Sequence, residues 1–315
     1  MAVLISCIAT TAAAADDLYS AQTVVTGQGE ANRVIGFAAC LEDVLIKVSG
    51  AVKLAGDPRL KTYQSRAGDF VKSYGYHDQM SGTPIRDEQG TRDRPYDLMV
   101  EFDAKKIDDL LGTIGLTPWL SHRPVLATFV GMEQDARNTI VTADAGRSAA
   151  APREALLAAS ARRGLTIVLP DVAALAKSGI DGTTLVKVPP AALAARAAEL
   201  GGEVVLVGRL KWDDSDLEWV TYWQMEWQGE MHRWQVRSVT FDEAFRRALG
   251  GAAQILSGNG DPGEAGEGRI SEATSGVLVF AQTWRIRQLG ALANDLCARP
   301  HDAPAPTSAA TFRKP

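Results

Sequence analysis

Trp219, Thr221, Trp223, Met225 and Trp227 occupy every second position of one stretch, with Val220, Tyr222, Gln224 and Glu226 between them. Only an extended strand turns a period of two into one bulky face, because successive side chains point to opposite sides of a strand. Beyond the short turn Gln228-Gly229-Glu230, Trp234 and Val236 continue the alternation. Upstream, Glu203 to Trp212 reads E-V-V-L-V-G-R-L-K-W. Three neighbouring strands are therefore expected to form a β-meander sharing one aromatic face. That face has to be covered, and the helix-like segments on either side, Pro190 to Leu200 and Phe241 to Leu256, are the expected covers.

The rest of the chain bounds what such a meander belongs to. A length of 315 residues suits about two domains, and 46% apolar residues suffice for real cores. A net charge of −5, with the Lys and Arg residues scattered rather than striped, gives no basic field for nucleic acid. No run of about eighteen apolar residues occurs, so no span is expected in the mature chain.

Residues 1–15 are apolar and small, and Ala13-x-Ala15 before Asp16-Asp17 matches a signal-peptidase site. Cleavage after Ala15 and release into the periplasm is the expectation, although no Lys or Arg precedes the apolar stretch. Leu4-Ile5-Ser6-Cys7 offers an alternative, a lipoprotein anchored through Cys7, and an uncleaved apolar N-terminus is a third. Cys40 and Cys297 then remain, and in an oxidising compartment they can pair. The setting F-A-A-C-L suits a buried thiol acting as a small hydrophobe, which is the stronger reading.

In order, Leu18 to Val25 reads as a strand and Glu30 to Val48 as an amphipathic helix stopped by Gly50. A second helix is expected from Asp57-Pro58 towards Ser73, then a polar loop after Tyr74-Gly75-Tyr76, a strand Tyr96 to Phe102 and a helix Asp103 to Ile114. The second half opens with the strand V-L-A-T-F-V and continues through a polar loop to Arg147. There follow a helix Ala150 to Arg163, the strand L-T-I-V-L, a helix from Val172, the helix Ala191 to Leu200, the meander and the helix Phe241 to Leu256. The expected fold is α/β in the broad sense (α+β), two modules of mixed sheet with packed helices. They run over residues 16–117 and 118–257, the second built on the antiparallel Trp-rich meander. A linker over 258–269, a strand and helix over 270–298 and a disordered tail over 299–315 complete the chain.

Leu18-Tyr19, Asn32-Arg33 and V-L-I-K-V-S-G from Val44 to Gly50 resemble the opening of a bacterial family called domain of unknown function 2066. L-T-I-V-L-P-D from Leu165, L-V-G-R-L from Leu206 and W-Q-M-E-W-Q-G from Trp223 are similar in the same order. The resemblance implies an exported protein of Gram-negative type bacteria with no assigned activity, and carries over no catalytic residue.

Candidate sites are few. Gly27-x-Gly29-x-x-Asn32 stands where backbone N–H groups can cradle a phosphate, but it lacks the third glycine and the later carboxylate, and suits a loop leading into a helix. Asp213, Asp214, Asp216 and Glu218 crowd one turn, as a hard-cation site or as a solvated hairpin tip. The four histidines, His77, His122, His232 and His301, have no metal-ligand spacing, so no metal and no cofactor is expected. Neither G-x-S-x-G nor S-x-x-K occurs. Trp212, Trp219, Trp223, Trp227 and Trp234 suit a core. Alternatively, an uncovered part of their face, or the opposite edge, is an interaction surface for an envelope protein or a glycan. Trp119 is expected at the junction of the modules. The leading expectation is an exported, non-catalytic interaction module of the cell envelope. The alternatives are an envelope hydrolase acting on glycan or ester bonds, and a carrier of a small ligand or lipid.

Overall fold

A computed structural model describes residues 18–262, apart from 83–85, 88–89, 92–93, 135–136, 145–146 and 183. Ala15, Cys7, His301, the strand and helix expected over 270–298 with Cys297, and the tail lie outside the described residues. The fold is α+β, with two cores inside one compact unit.

The first core is a three-stranded antiparallel sheet. Strand β1 (Ser20–Thr26) and strand β2 (Val71–Asp78) flank the later strand β5 (Pro95–Phe102), with Val25 opposite Tyr96 and Ser73 opposite Glu101. A two-residue pair, β3 (Arg86–Asp87) and β4 (Gly90–Thr91), lies between β2 and β5 in the chain. Helix α1 (Glu30–Ser49) buries Phe37, Cys40, Leu41, Val44, Leu45 and Val48, the stripe its spacing dictates. Gly50 ends it in the left-handed region at φ 73°, returning its N–H to Ile46 O as a C-cap. Helix α2 (Ala104–Thr113) is capped by the Asp103 carboxylate, which accepts from Lys106 N.

The helix expected from Asp57 to Ser73 is instead three short turns, Pro58–Leu60, Lys61–Gln64 and Ala67–Phe70, and from Val71 the chain forms strand β2, which runs through Tyr74-Gly75-Tyr76 to Asp78 where the expected polar loop begins. Asp57 and Pro58 start a turn as their chemistry requires, but pairing with β5 claims the backbone from Val71 onward. Tyr74 then packs edge-on against Phe37 at 5.2 Å and Tyr76 at 5.9 Å. Tertiary pairing overrides the local preference.

The second core surrounds a six-stranded mixed sheet in the order β11-β10-β9-β6-β7. Its strands are β6 (Leu126–Gln134), β7 (Arg137–Val141), β9 (Val204–Asp213), β10 (Glu218–Trp227) and β11 (Glu230–Ser238), and the short β8 (Ile167–Val168) pairs in parallel with β6. Strand β7 lies where a polar loop is expected; its pairing with β6, Val130 opposite Val141, supplies what R-N-T-I-V alone does not. The meander β9-β10-β11 has the expected antiparallel register, with Trp223 opposite both Gly208 and Trp234.

Helices α3 (Arg147–Arg162) and α6 (Phe241–Leu256) cover one face of this sheet. The other face is covered over β6 and β9, by α4 (Val172–Ser178), the turns Leu185–Lys187 and Pro190–Leu193, and α5 (Ala194–Glu199), with Pro190–Leu193 reaching as far as β10. The segment Pro190–Leu200 therefore does not cover the tryptophans. Leu193, Ala197 and Leu200 pack on Val205 and Val207, the odd positions of β9, whereas the indoles share a face with its even positions.

Arg123 is at the centre of the contacts between the two cores. Arg123 donates to Lys47 O at 2.9 Å and Val48 O at 3.3 Å at the end of α1, and to Arg163 O and Gly164 O at 3.3 Å just past α3. It also donates to Trp119 O at 3.1 Å and lies 4.1 Å over the Trp119 ring, while Trp119 N donates to Val48 O. A cation at two helix C-termini faces the negative end of both dipoles. Burial pushes its guanidinium down to about 10. Beside it, the largely buried Asp43 of α1 accepts from Arg162 Nε at 2.9 Å and lies 3.7 Å from the buried Arg163, whose Nε and Nη1 make no hydrogen bond.

Candidate functional site

The tryptophans do not form a surface. Trp219, Trp223 and Trp234 are buried beneath α6, and Trp212 and Trp227 are partly buried at the rim of the same cluster. Trp223 stacks on Trp234 at 6.5 Å, meets Phe245 edge-on at 6.3 Å and donates its indole N–H to Thr221 Oγ1 at 2.8 Å. Its ring rests on Gly208, where a Cβ would lie 2.4 Å from the indole. The proposed Trp interaction surface is thus corrected at Trp219, Trp223 and Trp234, because a helix with Phe241, Phe245 and Leu249 on its inner side fills the space above them.

The residues between the tryptophans are the ones left open. On the opposite face of the meander, past the turn Pro190–Leu193 at the edge of β10, no α-helix lies over β10 and β11 among the described residues, and a groove of about 340 Å³ runs there. Val207, Arg209, Tyr222, Gln224, Arg233 and Gln235 contribute the side chains that line it. The register sets them in two cross-strand rows, Arg209–Tyr222–Gln235 and Val207–Gln224–Arg233. Tyr222 is 48% exposed. Arg209 is held by Glu133 through two 2.8 Å bonds, which push its guanidinium up, and Gln224 donates to Val188 O at 3.3 Å. Arg233, exposed on the outer strand, has no ion pair among the described residues. One phenol, two carboxamides and two guanidinium planes on a fixed sheet offer stacking and paired hydrogen bonds to a polar ligand. Sequence reasoning passed over these residues, although the alternation that marks the indoles as one face marks Tyr222 and Gln224 as the other.

The remaining candidates are occupied locally. Gly27 N donates to Arg94 O and the Asn32 amide to Thr26 O, so the Gly27-x-Gly29 turn uses its polar groups to lead into α1. Asp213 accepts from Ser215 N at 3.0 Å, and Asp216 and Glu218 hold Arg237; among the described residues no group of three His, Cys, Asp or Glu could hold a metal ion. His77 faces Asp97 at 3.3 Å, His122 faces Glu203 at 2.7 Å and His232 faces Asp261. His122 is the main cause holding the Glu203 carboxyl below its usual range, followed by Val125 N–H. No Ser, Thr or Cys side chain among the described residues is hydrogen-bonded to these histidines. Cys40 is a buried thiol pushed up to about 12 by burial, with the Asp43 charge adding to it.

The chain is thus of the α+β class, with an antiparallel meander open on one face. A family model described as a domain of unknown function (DUF8605) matches residues 12–120, the stretch carrying the first sheet. The chain is therefore similar to a family without assigned activity, as expected, but this is not domain of unknown function 2066, whose resemblance also extended across the second core. No curated protein matches the chain. No helix among the described residues is long and apolar enough to cross a membrane.

Proposed function

We propose that this protein is an exported, non-catalytic interaction module of the cell envelope, working in the periplasm, and that it engages its partner through the open face of the meander. The observation that carries the reading is the groove itself. Exposed Tyr222 and Arg233, with half-buried Gln224 and Gln235, stand on a sheet whose reverse side is packed by α6, so the side chains are presented by rigid strands. Export is supported by the apolar residues 1–15 with Ala13-x-Ala15.

The test is a photo-crosslinking amino acid placed at position 222, 233 or 235 in the native cell, with exposed Leu157 on α3 as the control position. Adducts of one defined mass from the groove and none from position 157 are expected; equal or absent adducts at both defeat the reading. An intact mass that retains Met1 would defeat the export half alone. The hydrolase alternative rests on the His122–Glu203 pair, and loss of a measured hydrolytic activity in His122→Gln with the crosslinks unchanged would favour it.

A further inference from the structure

We infer that Asn259-Gly260 is a modification site, a deamidating pair whose conversion unseats the segment Ser257–Pro262 from the end of α1.

Helix α6 ends at Leu256, and the residues that follow stay on the molecule. Asn259 N donates to Gln254 O at 2.9 Å, Gln254 Nε2 donates to Asp261 O at 2.8 Å, and the Asp261 carboxylate meets His232 of β11 at 2.5 Å. Two glycines give the segment room. A Cβ at Gly50 would lie 2.4 Å from Ser257 Oγ, and one at Gly251 would lie 3.1 Å from Pro262 Cβ. The centre of the seat is the Asn259 amide, whose Nδ2 donates to Ser49 O at 2.9 Å and to Ser257 Oγ at 2.8 Å. The last four carbonyls of a helix have no partner inside it. In α1 Ile46 O accepts from Gly50 N, Lys47 O and Val48 O accept from Arg123, and Ser49 O accepts from Asn259.

The dipeptide Asn-Gly occurs once in the chain. A glycine after an asparagine leaves its own nitrogen unshielded by any side chain and its backbone free to turn. Gly260 is exposed, and its N–H makes no hydrogen bond among the described residues. Deprotonated by hydroxide, that nitrogen attacks Asn259 Cγ. The new C–N bond closes a five-membered succinimide as the bond from Cγ to the amide nitrogen breaks and ammonia leaves with the proton. Water then opens the ring at either carbonyl, to aspartate or isoaspartate. The sum is amide plus water to carboxylate plus ammonium, with nothing oxidised or reduced.

Attack requires Cγ to turn towards Gly260 N, whereas both bonds from Nδ2 hold the amide on Ser49 and Ser257, so the reaction passes through the unseated segment. The product cannot return to the seat. An ionised carboxylate accepts hydrogen bonds and donates none, so it faces Ser49 O without a donor. Its charge also stands at the negative pole of α1. Release withdraws Pro262 from Gly251 and Asp261 from His232, so a one-way change at Asn259 loosens a seat shared by α1, α6 and β11.

The experiment incubates the full chain, folded and in denaturing urea, at about pH 8, and follows Asn259 by peptide mass and by separation of the aspartate and isoaspartate products. Both products are expected at position 259 in both samples, formed at least tenfold more slowly in the folded chain. Ser257→Ala should speed the folded reaction at least threefold and leave the reaction in urea unchanged. Equal rates in the two samples would overturn the seating, and a folded chain that never converts while the unfolded one does so fully would overturn the site. The consequence is read by hydrogen exchange in the deamidated fraction of the native chain, isolated by its extra negative charge. Exchange over residues 257–262 and at Gly50 should rise at least threefold, and Asn259→Asp should reproduce the rise; unchanged exchange in the isolated fraction would overturn the unseating.

Discussion

Replacing Arg123 by Met removes a cation that five carbonyl oxygens and one indole ring share. The two shorter donations, to Lys47 O and Trp119 O, contribute about 2 kcal/mol each as charge-assisted bonds. The three at 3.3 Å and the Trp119 ring add about 1–2 kcal/mol together. Burial opposes this, as the downward push on the guanidinium records, at a cost of about 3 kcal/mol. The contacts win, and Arg123→Met should lower stability by about 2–3 kcal/mol, a large part of an ordinary total of about 5–15. In urea the midpoint should fall by about 1 M at a slope of about 3 kcal/mol/M. Because Arg123 joins the end of α1 to the end of α3, the cooperativity of the two cores should suffer as well. The described tryptophans all report on the second core, whereas the buried Cys40 thiol reports on the first. Tryptophan fluorescence and thiol alkylation should therefore give one coincident transition in the native chain and two in Arg123→Met. A variant that is neutral or more stable, with its transitions still coincident, would refute the reasoning and show that the desolvation of the guanidinium exceeds its contacts.

Asp43→Asn leaves Arg162 and the buried Arg163 uncompensated and should cost about 3 kcal/mol, whereas Arg163→Met, which discards two bare donors, should be neutral or slightly stabilising; urea midpoints decide both. Gly208→Ala drives a methyl group into the Trp223 ring and should cost about 2–3 kcal/mol with a changed tryptophan emission; an unchanged spectrum and midpoint would contradict the packing. The Cys40 thiol, raised in the folded protein to about 12, keeps its proton where the unfolded chain at about pH 8.5 begins to lose it. The folded state thus binds more protons between those values, and stability falls as pH rises through that window, by up to about 1.4 kcal/mol per pH unit for this one group. Cys40→Ala should show a correspondingly shallower decline, and equal slopes would argue against the thiol's burial. Tyr222→Ala should leave stability within about 0.5 kcal/mol, since its side chain is half exposed, and a larger loss would make it a packing residue.

The meander was legible because a period of two admits one geometry, and the turn at Gln228-Gly229-Glu230 set Trp223 against Trp234 once the strands were drawn. Helix α1 was legible for the matching reason, an apolar spacing of three and four with Gly50 at its end, and α6 was expected as a helix over Phe241 to Leu256, though its Thr240 cap emerged only in the structure. Strands β2 and β7 were not, since V-K-S-Y-G-Y-H-D and R-N-T-I-V carry too few apolar alternations to declare themselves before β5 and β6 pair with them. The sequence by itself determined that the indoles share one side of a sheet and that Val220, Tyr222, Gln224 and Glu226 share the other. Only the tertiary structure decided which side is closed, because α6 packs over the tryptophans, with α3 from an earlier stretch beside it towards β7, while Pro190–Leu200 is drawn to the reverse face over β6 and β9. The open groove, and the carbonyls that meet around Arg123, are products of that choice: they join residues tens to more than a hundred positions apart, and no local pattern encodes a contact of that range.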